Sequence, residues 1–480
     1  MSYIPLKIPA GVVKAGTDYD SRGRWIDSNL MRWHDGDVMQ PIGGWALLSN
    51  AGSVAVGGPV RGMIGYRRNN GQARIILGTH AKLYDYAAGT LTAITPVGFT
   101  AGDIQASGTY YAPTEANTWQ IDMFGEDPVA CSWSDGLIYT WDSSVGGAAT
   151  VVDGSAPTGC VGVVVTPERF VVALGAGGDG KEVQWADQES LTVWGATTSN
   201  QAGSFPLQGH GNIMAGRAGR QETLIWTDLD LFSMRYIGGE LIYSFNKVGS
   251  QCGAISRRSM AIFDGRAIWM GRRGFFLYDG FVQPIPCPVG DFVFNQLNQD
   301  QRSQIAADVR ADFHEVWWYY PSSTSDNDNA VVYNWLGNHW RIEPIDRTAG
   351  IDRGVFEFPL AADPSGAIYE HENGALYADE GGSPSYTPYA ESGPIELGNG
   401  DNVMAIRQFI PDEDSLGEAK VKIFSRFYPT ATETDNGFFT LANPTDMRIT
   451  ARQVRVRVQQ VTAGMRWGTP RLEAVPGGLR

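Results

Sequence analysis

Glu315-Val-Trp-Trp-Tyr-Tyr-Pro-Ser-Ser323 is followed by a polar run and then by Val331-Val-Tyr-Asn-Trp-Leu-Gly-Asn-His-Trp340. Two aromatic and β-branched segments flank a loop of Ser, Asp and Asn, which is the mark of a β-hairpin. Weaker copies recur through the middle of the chain. Recurring hairpins point to a radially repeated β architecture.

Working outward, Gly62–Arg67, Arg74–Thr79, Lys82–Tyr86 and Leu91–Thr95 read as four strands, with a turn at Asn69-Asn70-Gly71 that favours positive φ. A second unit holds Ala130–Trp133 and Leu137–Trp141. A third holds Gly162–Val165, Phe170–Leu174, Val183–Ala186 and Leu191–Trp194. A fourth holds Glu222–Trp226, Leu231–Tyr236 and Leu241–Phe245, and a fifth runs from Ser259 to Ile285. The opening hairpin is the sixth, and Phe356–Tyr377 offers a seventh. The spacing drifts between roughly 40 and 55 residues, overlapping propeller repeats of ~40–50. The reading is all-β: a β-propeller of six or seven irregular blades, with six taken as the count and the remainder closing the ring. Two stacked sandwiches are the competing arrangement.

Three regions follow: an extended N-terminal arm over 1–50, a propeller over 51–380 and a C-terminal β-sandwich over 381–480. The arm is dense in Gly and Trp and is clipped to the body by Trp25, Trp33 and Trp45. The last region alternates strictly at Val421–Tyr428, Met447–Ala451 and Val454–Gln459. One helix interrupts the pattern, with Asp291 as cap for Phe292–Ile305 and Phe294, Leu297 and Ile305 as a partial apolar stripe.

Composition agrees. At 480 residues the chain is too long for one ordinary core. Its 59 glycines supply turns, and aromatics at 11% supply packed strand faces. A formal charge of −15 argues against wrapping DNA, which needs clustered Lys and Arg, whereas an acidic wall lets DNA slide past. Cys131, Cys160, Cys252 and Cys287 are scattered without a CxxC pair, so buried reduced thiols are expected. No signal peptide is visible in Met1–Lys14, and no apolar run reaches the ~18 residues of a membrane span. Synthesis in a reducing cytosol is the expectation.

Gly175-Ala-Gly-Gly-Asp-Gly180 matches GxGxxG, but it runs into Lys181-Glu-Val-Gln-Trp-Ala186, another strand, so it reads as a hairpin turn. Asp326-Asn-Asp-Asn329 lacks the glycine and distal Glu of a calcium loop and reads as a solvated hairpin tip. The six histidines are solitary. Ser132-Trp-Ser-Asp-Gly136 is only faintly like a sialidase Asp-box. No catalytic, cofactor-binding or metal residue stands out. Arg455 and Arg457 share one face of their strand, opposite Val454, Val456 and Val458. They are either a solvent-facing row or, with Trp25 and Trp33, candidates for docking a partner.

Gly23-Arg-Trp-Ile-Asp-Ser-Asn-Leu-Met-Arg-Trp33 and Pro41-Ile-Gly-Gly-Trp45 resemble the start of packaged-DNA stabilisation proteins of short-tailed bacteriophages, also called tail hub or nozzle proteins. Phe294-Asn-Gln-Leu-Asn, Glu315–Ser323 and Val332-Tyr-Asn-Trp resemble their later blades, and Arg452–Val458 with Arg471-Leu-Glu resembles their C-terminal domain. The motifs are structural and name no catalytic residue. The resemblance implies a non-enzymatic virion component without cofactor, assembled in the host bacterial cytoplasm as a hexameric ring below the portal and adaptor. Such a ring forms the tail channel that retains packaged DNA until ejection. DNA passes through its lumen without specific binding, and its surface docks a spike, fibre or needle. The alternatives are a carbohydrate-binding or glycan-cleaving propeller in a receptor-binding tail component, and a propeller scaffold of cellular origin.

Overall fold

The computed structural model describes residues 3–17, 20–34, 36–48, 56–109, 112–379, 382, 385–396 and 402–478. Seven four-stranded antiparallel sheets follow one another along the chain: 60–93, 119–151, 162–206, 213–249, 260–285, 306–343, and 349–371 completed by Trp45–Leu47. We number them blades 1 to 7. The first strands of blades 1 to 4 adjoin in turn, as do those of blades 5 to 7; blades 4 and 5 meet through Trp226 and Trp269, and the first strand of blade 7, Ala349–Ile351, returns to that of blade 1, Val60–Arg67. The sheets therefore form a closed β-propeller.

The remainder expected to close the ring is thus a blade itself. It is closed from a distance, because Trp45, Ala46 and Leu47 pair with His371, Glu370 and Tyr369. Several strands escaped the sequence reading. Trp119–Phe124, Ile213–Ala218 and Ala306–Arg310 open blades 2, 4 and 6. In blade 3 the fourth strand is Gly203–Pro206, not Leu191–Trp194. That segment is an irregular loop, and Trp194 packs from it into the core between blades 2 and 3, its indole nitrogen satisfied by the Leu191 carbonyl. The expected helix also shortens. Gly290–Gln296 is helical, Leu297 turns extended at ψ 125°, and Gln299–Gln304 is a 3-10 segment capped by the Asn298 side chain on the Asp300 N–H. Asp291 lies inside the first turn, and the cap position is Val289, which makes no side-chain cap bond. Asn298 competes with the helix by offering the backbone a local acceptor.

Apolar residues fill the seams between blades. Val164, Val172 and Leu174 meet Ile225 and Phe232 between blades 3 and 4, and Ile75 and Leu77 meet Ala349 and Leu360 across the closure. Glycine sets how closely the sheets approach. A Cβ on Gly78 would lie 2.3 Å from Trp119 Cδ1, so only glycine lets blade 2 seat its indole against blade 1.

The C-terminal region is a two-sheet β-sandwich, and the N-terminal segment is built into it. Tyr3–Pro5 pairs with Arg471–Pro476 in one sheet, and Trp25–Asn29 pairs with Tyr389–Ser392 in the other. Ala419–Arg426 and Thr445–Ala451 alternate strictly between buried and more accessible positions, as the sequence pattern requires. The first fifty residues are therefore not an arm laid on a finished body. They supply a strand to each sandwich sheet and the outer strand of blade 7. One apolar core runs without a break from Phe275, Trp318 and Trp340 through Val12, Trp25 and Trp33 to Val456 and Trp467.

A buried ionic cluster reinforces the seam. Glu315, fully buried, accepts from Arg32 (Nε 2.7 Å, Nη2 3.0 Å), from Arg341 (Nη2 2.9 Å) and from the Trp317 indole (3.1 Å). Arg32 also reaches Glu372 at 2.7 Å, and Arg341 reaches Glu343 at 2.7 Å. Burial opposes ionisation of Glu315, but the two guanidinium groups outweigh it and hold the carboxyl well below its usual range.

Candidate functional site

Most propeller strands end in short turns, and one end of the barrel gathers those of blades 2 to 5 around a cleft of about 830 Å³. That volume falls within the ~300–1,000 Å³ of small-molecule sites. Its walls come from turns and inter-blade connections: Trp133–Gly136 of blade 2, Gly175–Gly180 of blade 3, Asp228 of blade 4 and Arg272 of blade 5. The connection Asp300–Ser303 forms the remaining side.

Two stretches singled out in the sequence meet here. The GxGxxG segment is a turn between Val171–Leu174 and Glu182–Trp185, as the following strand demanded, and its glycines form part of the wall. Ser132–Gly136 contributes Trp133 and Asp135. The Asp135 carboxylate is held by its own turn, accepting from the Leu137 N–H (3.2 Å) and the Tyr139 hydroxyl, and burial raises it from its ordinary value.

The central side chain was missed by sequence reading. Arg257 lies in the connection before blade 5 with its side chain 10% exposed. Nε pairs with Glu115 at 3.2 Å, Nη1 donates to the Met214 carbonyl at 3.3 Å, and the guanidinium lies 3.7 Å from the Trp133 ring centroid. Burial pulls it below the ordinary guanidinium value, with Glu115 opposing. Arg272 and Arg302 also line the cleft, Arg272 3.4 Å from Asp228. The available signal was the pair Arg257-Arg258 between two serines, immediately before an apolar strand. Arg258 turns the other way, donating to the carbonyls of Thr348 (3.0 Å) and Gln304 (3.1 Å).

Asp326–Asn329 is not a solvated tip. Asn327 is buried and donates to the carbonyls of Gln304 and Arg347 (both 3.2 Å), while Asp326 sits 3.5 Å from the buried Arg61. The inward fold brings Asp326 to Arg61 as a counter-charge; burial lowers that guanidinium to about 10, with Asp326 opposing.

The candidate docking residues are engaged within the chain. Trp25 and Trp33 are buried in the shared core, with ring centroids 6.3 Å apart. Arg455 is ion-paired with Glu433 and Glu391, and Arg457 stacks 3.6 Å from the Tyr389 ring centroid. These four hold the sandwich together and leave little free surface for a partner. The four cysteines are free thiols: Cys131, Cys160 and Cys252 are buried and Cys287 is half-buried. Among the described residues, no group of three or more His, Cys, Asp or Glu is placed to hold a metal, and no helix is long and apolar enough to cross a membrane.

No protein-family model matches the chain, and no curated protein matches it. Among solved structures, YCF48 bound to D1 peptide is 9% identical over 69% of this chain and 97% of that one, with a TM-score of 0.39. The Pan2 WD40 domain of Neurospora crassa is 10% identical over 65% and 88%, at 0.38. A glycoside hydrolase is 9% identical over 90% and 99%, at 0.26. Likenesses this distant carry no functional inference, and the propeller assignment rests on the sheet order.

Proposed function

We propose that this chain is a structural subunit of a short-tailed phage virion, the tail nozzle or hub. Six copies ring a channel below the portal and adaptor, retain packaged DNA and let it leave at ejection. The sequence resemblance motivates the reading. The structural observation that carries it is the single core shared by propeller and sandwich, stitched by the N-terminal strands and the Glu315 cluster. A channel wall needs subunits that do not flex between domains, and a closed ring needs rigid head-to-tail faces. Charge supports the same role: a hexamer carries a formal charge near −90, which lets DNA pass without adhering. In this role the protein performs no catalysis and meets the adaptor on one side and a spike, fibre or needle on the other.

Negative-stain microscopy and native mass spectrometry of the purified chain, alone and with the tail adaptor, test the proposal. Six-fold rings are expected once adaptor is present. A chain that stays strictly monomeric with adaptor refutes it.

A further inference from the structure

We infer that the cleft at the end of the propeller axis is a binding site for an acidic sugar of the hexuronate class, recognised through its carboxylate by Arg257 and Arg272. Arg257 carries the argument. Its side chain is nine-tenths buried, and it is fixed by Glu115, the Met214 carbonyl and the face of Trp133. Those contacts occupy Nε, Nη1 and the π-face. Nη2 has no acceptor among the described residues, although Arg257 lines the cavity. A guanidinium edge held in place by its other contacts, yet open to the cleft, is preorganised for the charge-assisted bond that an incoming carboxylate makes. Arg272, more than half exposed on the same cleft, supplies a second cation.

The surroundings choose the rest of the ligand. Glu115, Asp135, Asp228 and Asp300 line the same space as Arg257, Arg272 and Arg302, so the wall carries no cationic excess and suits one carboxylate on an otherwise neutral, hydroxyl-rich ligand better than a phosphate dianion. The exposed Asp300, Asn212 and Ser107 offer acceptors and donors suited to the hydroxyls of a sugar ring. Asp135 is pinned by Leu137 and Tyr139, so it presents fixed lone pairs. The volume of about 830 Å³ takes more than one sugar unit.

Saturation-transfer NMR and calorimetry with D-glucuronate, D-glucose and acetate, each up to about 10 mM, test the assignment. Glucuronate is expected to bind at least about tenfold more tightly than glucose or acetate, and Arg272→Gln, a change at an exposed position, to weaken it by about tenfold. Arg257→Gln is expected to abolish binding. If that variant fails to fold, Arg272→Gln decides alone. Equal binding of glucose overturns the carboxylate role, equal binding of acetate overturns the sugar, and absence of any glucuronate signal overturns the site.

Discussion

Replacing Glu315 by Gln keeps the shape of the side chain and removes its charge. In the native chain this carboxylate lies between Arg32 from the N-terminal segment and Arg341 from blade 6, bonded to both and to Trp317. A glutamine there turns an N–H₂ toward two guanidinium groups that only donate, so bonds are lost on both sides. Removing one partner of a buried ion pair costs about 3–5 kcal/mol. Arg32 keeps Glu372 and Arg341 keeps Glu343, which places the expected cost at the lower end, about 3 kcal/mol. At 1.36 kcal/mol per decade this corresponds to roughly a hundredfold loss of amide-exchange protection. The loss is expected in Met31–His34 and Glu315–Tyr320, with the sandwich strand Ala419–Arg426 little changed. Hydrogen exchange read by mass spectrometry gives all three segments in one experiment. Asp312→Asn, which breaks a half-exposed pair with Arg353, is the control and costs at most about 1 kcal/mol. If Glu315→Gln changes protection in the first two segments by less than about threefold, the cluster does not hold the N-terminal segment.

Burial lowers the His339 imidazole to about 4, with Arg341 adding to the effect. The folded state therefore refuses a proton that the unfolded chain accepts below about 6.5, so stability falls as pH drops from 6.5 toward 4, by up to about 3 kcal/mol. In denaturant titrations His339→Gln is expected to be less acid-sensitive than the native chain across that window, and parallel curves would contradict this. Gly78→Ala drives a methyl into Trp119 and is expected to cost about 1–3 kcal/mol in the same titrations. Gly154→Ala, with open space around it, is expected to stay within about 0.5 kcal/mol, and equal effects would show that the blade seam tolerates the methyl.

The legible parts of the fold were strands with two apolar faces or a clean alternation. Glu315–Tyr320 is buried throughout and reads at once as a strand. The missed strands open blades and carry residues that strands usually avoid: Gln120 and Asp122, Gly216 and Arg217, Asp308 and Arg310. Their neighbours across the ring supply burial that local pattern does not record. Blade 7 was half legible, because its fourth strand lies more than three hundred residues upstream. The cleft was legible only in pieces. Gly175–Gly180 read as a turn and Ser132–Gly136 as a faint likeness to an Asp-box, but their meeting depends on the order of blades around the axis.

Pairing between Tyr3–Pro5 and Arg471–Pro476 has a consequence for biosynthesis. Tyr3–Pro5 waits for Arg471–Pro476, made more than 450 residues later, before its sandwich sheet is complete. At about 5–20 residues per second that delay is on the order of half a minute to a minute and a half. Throughout it, Trp25 and Trp33 lack their native cover and are targets for a holding chaperone. Sealing comes only once Arg471–Pro476 has been made, so a chain cut short before that strand cannot buckle shut.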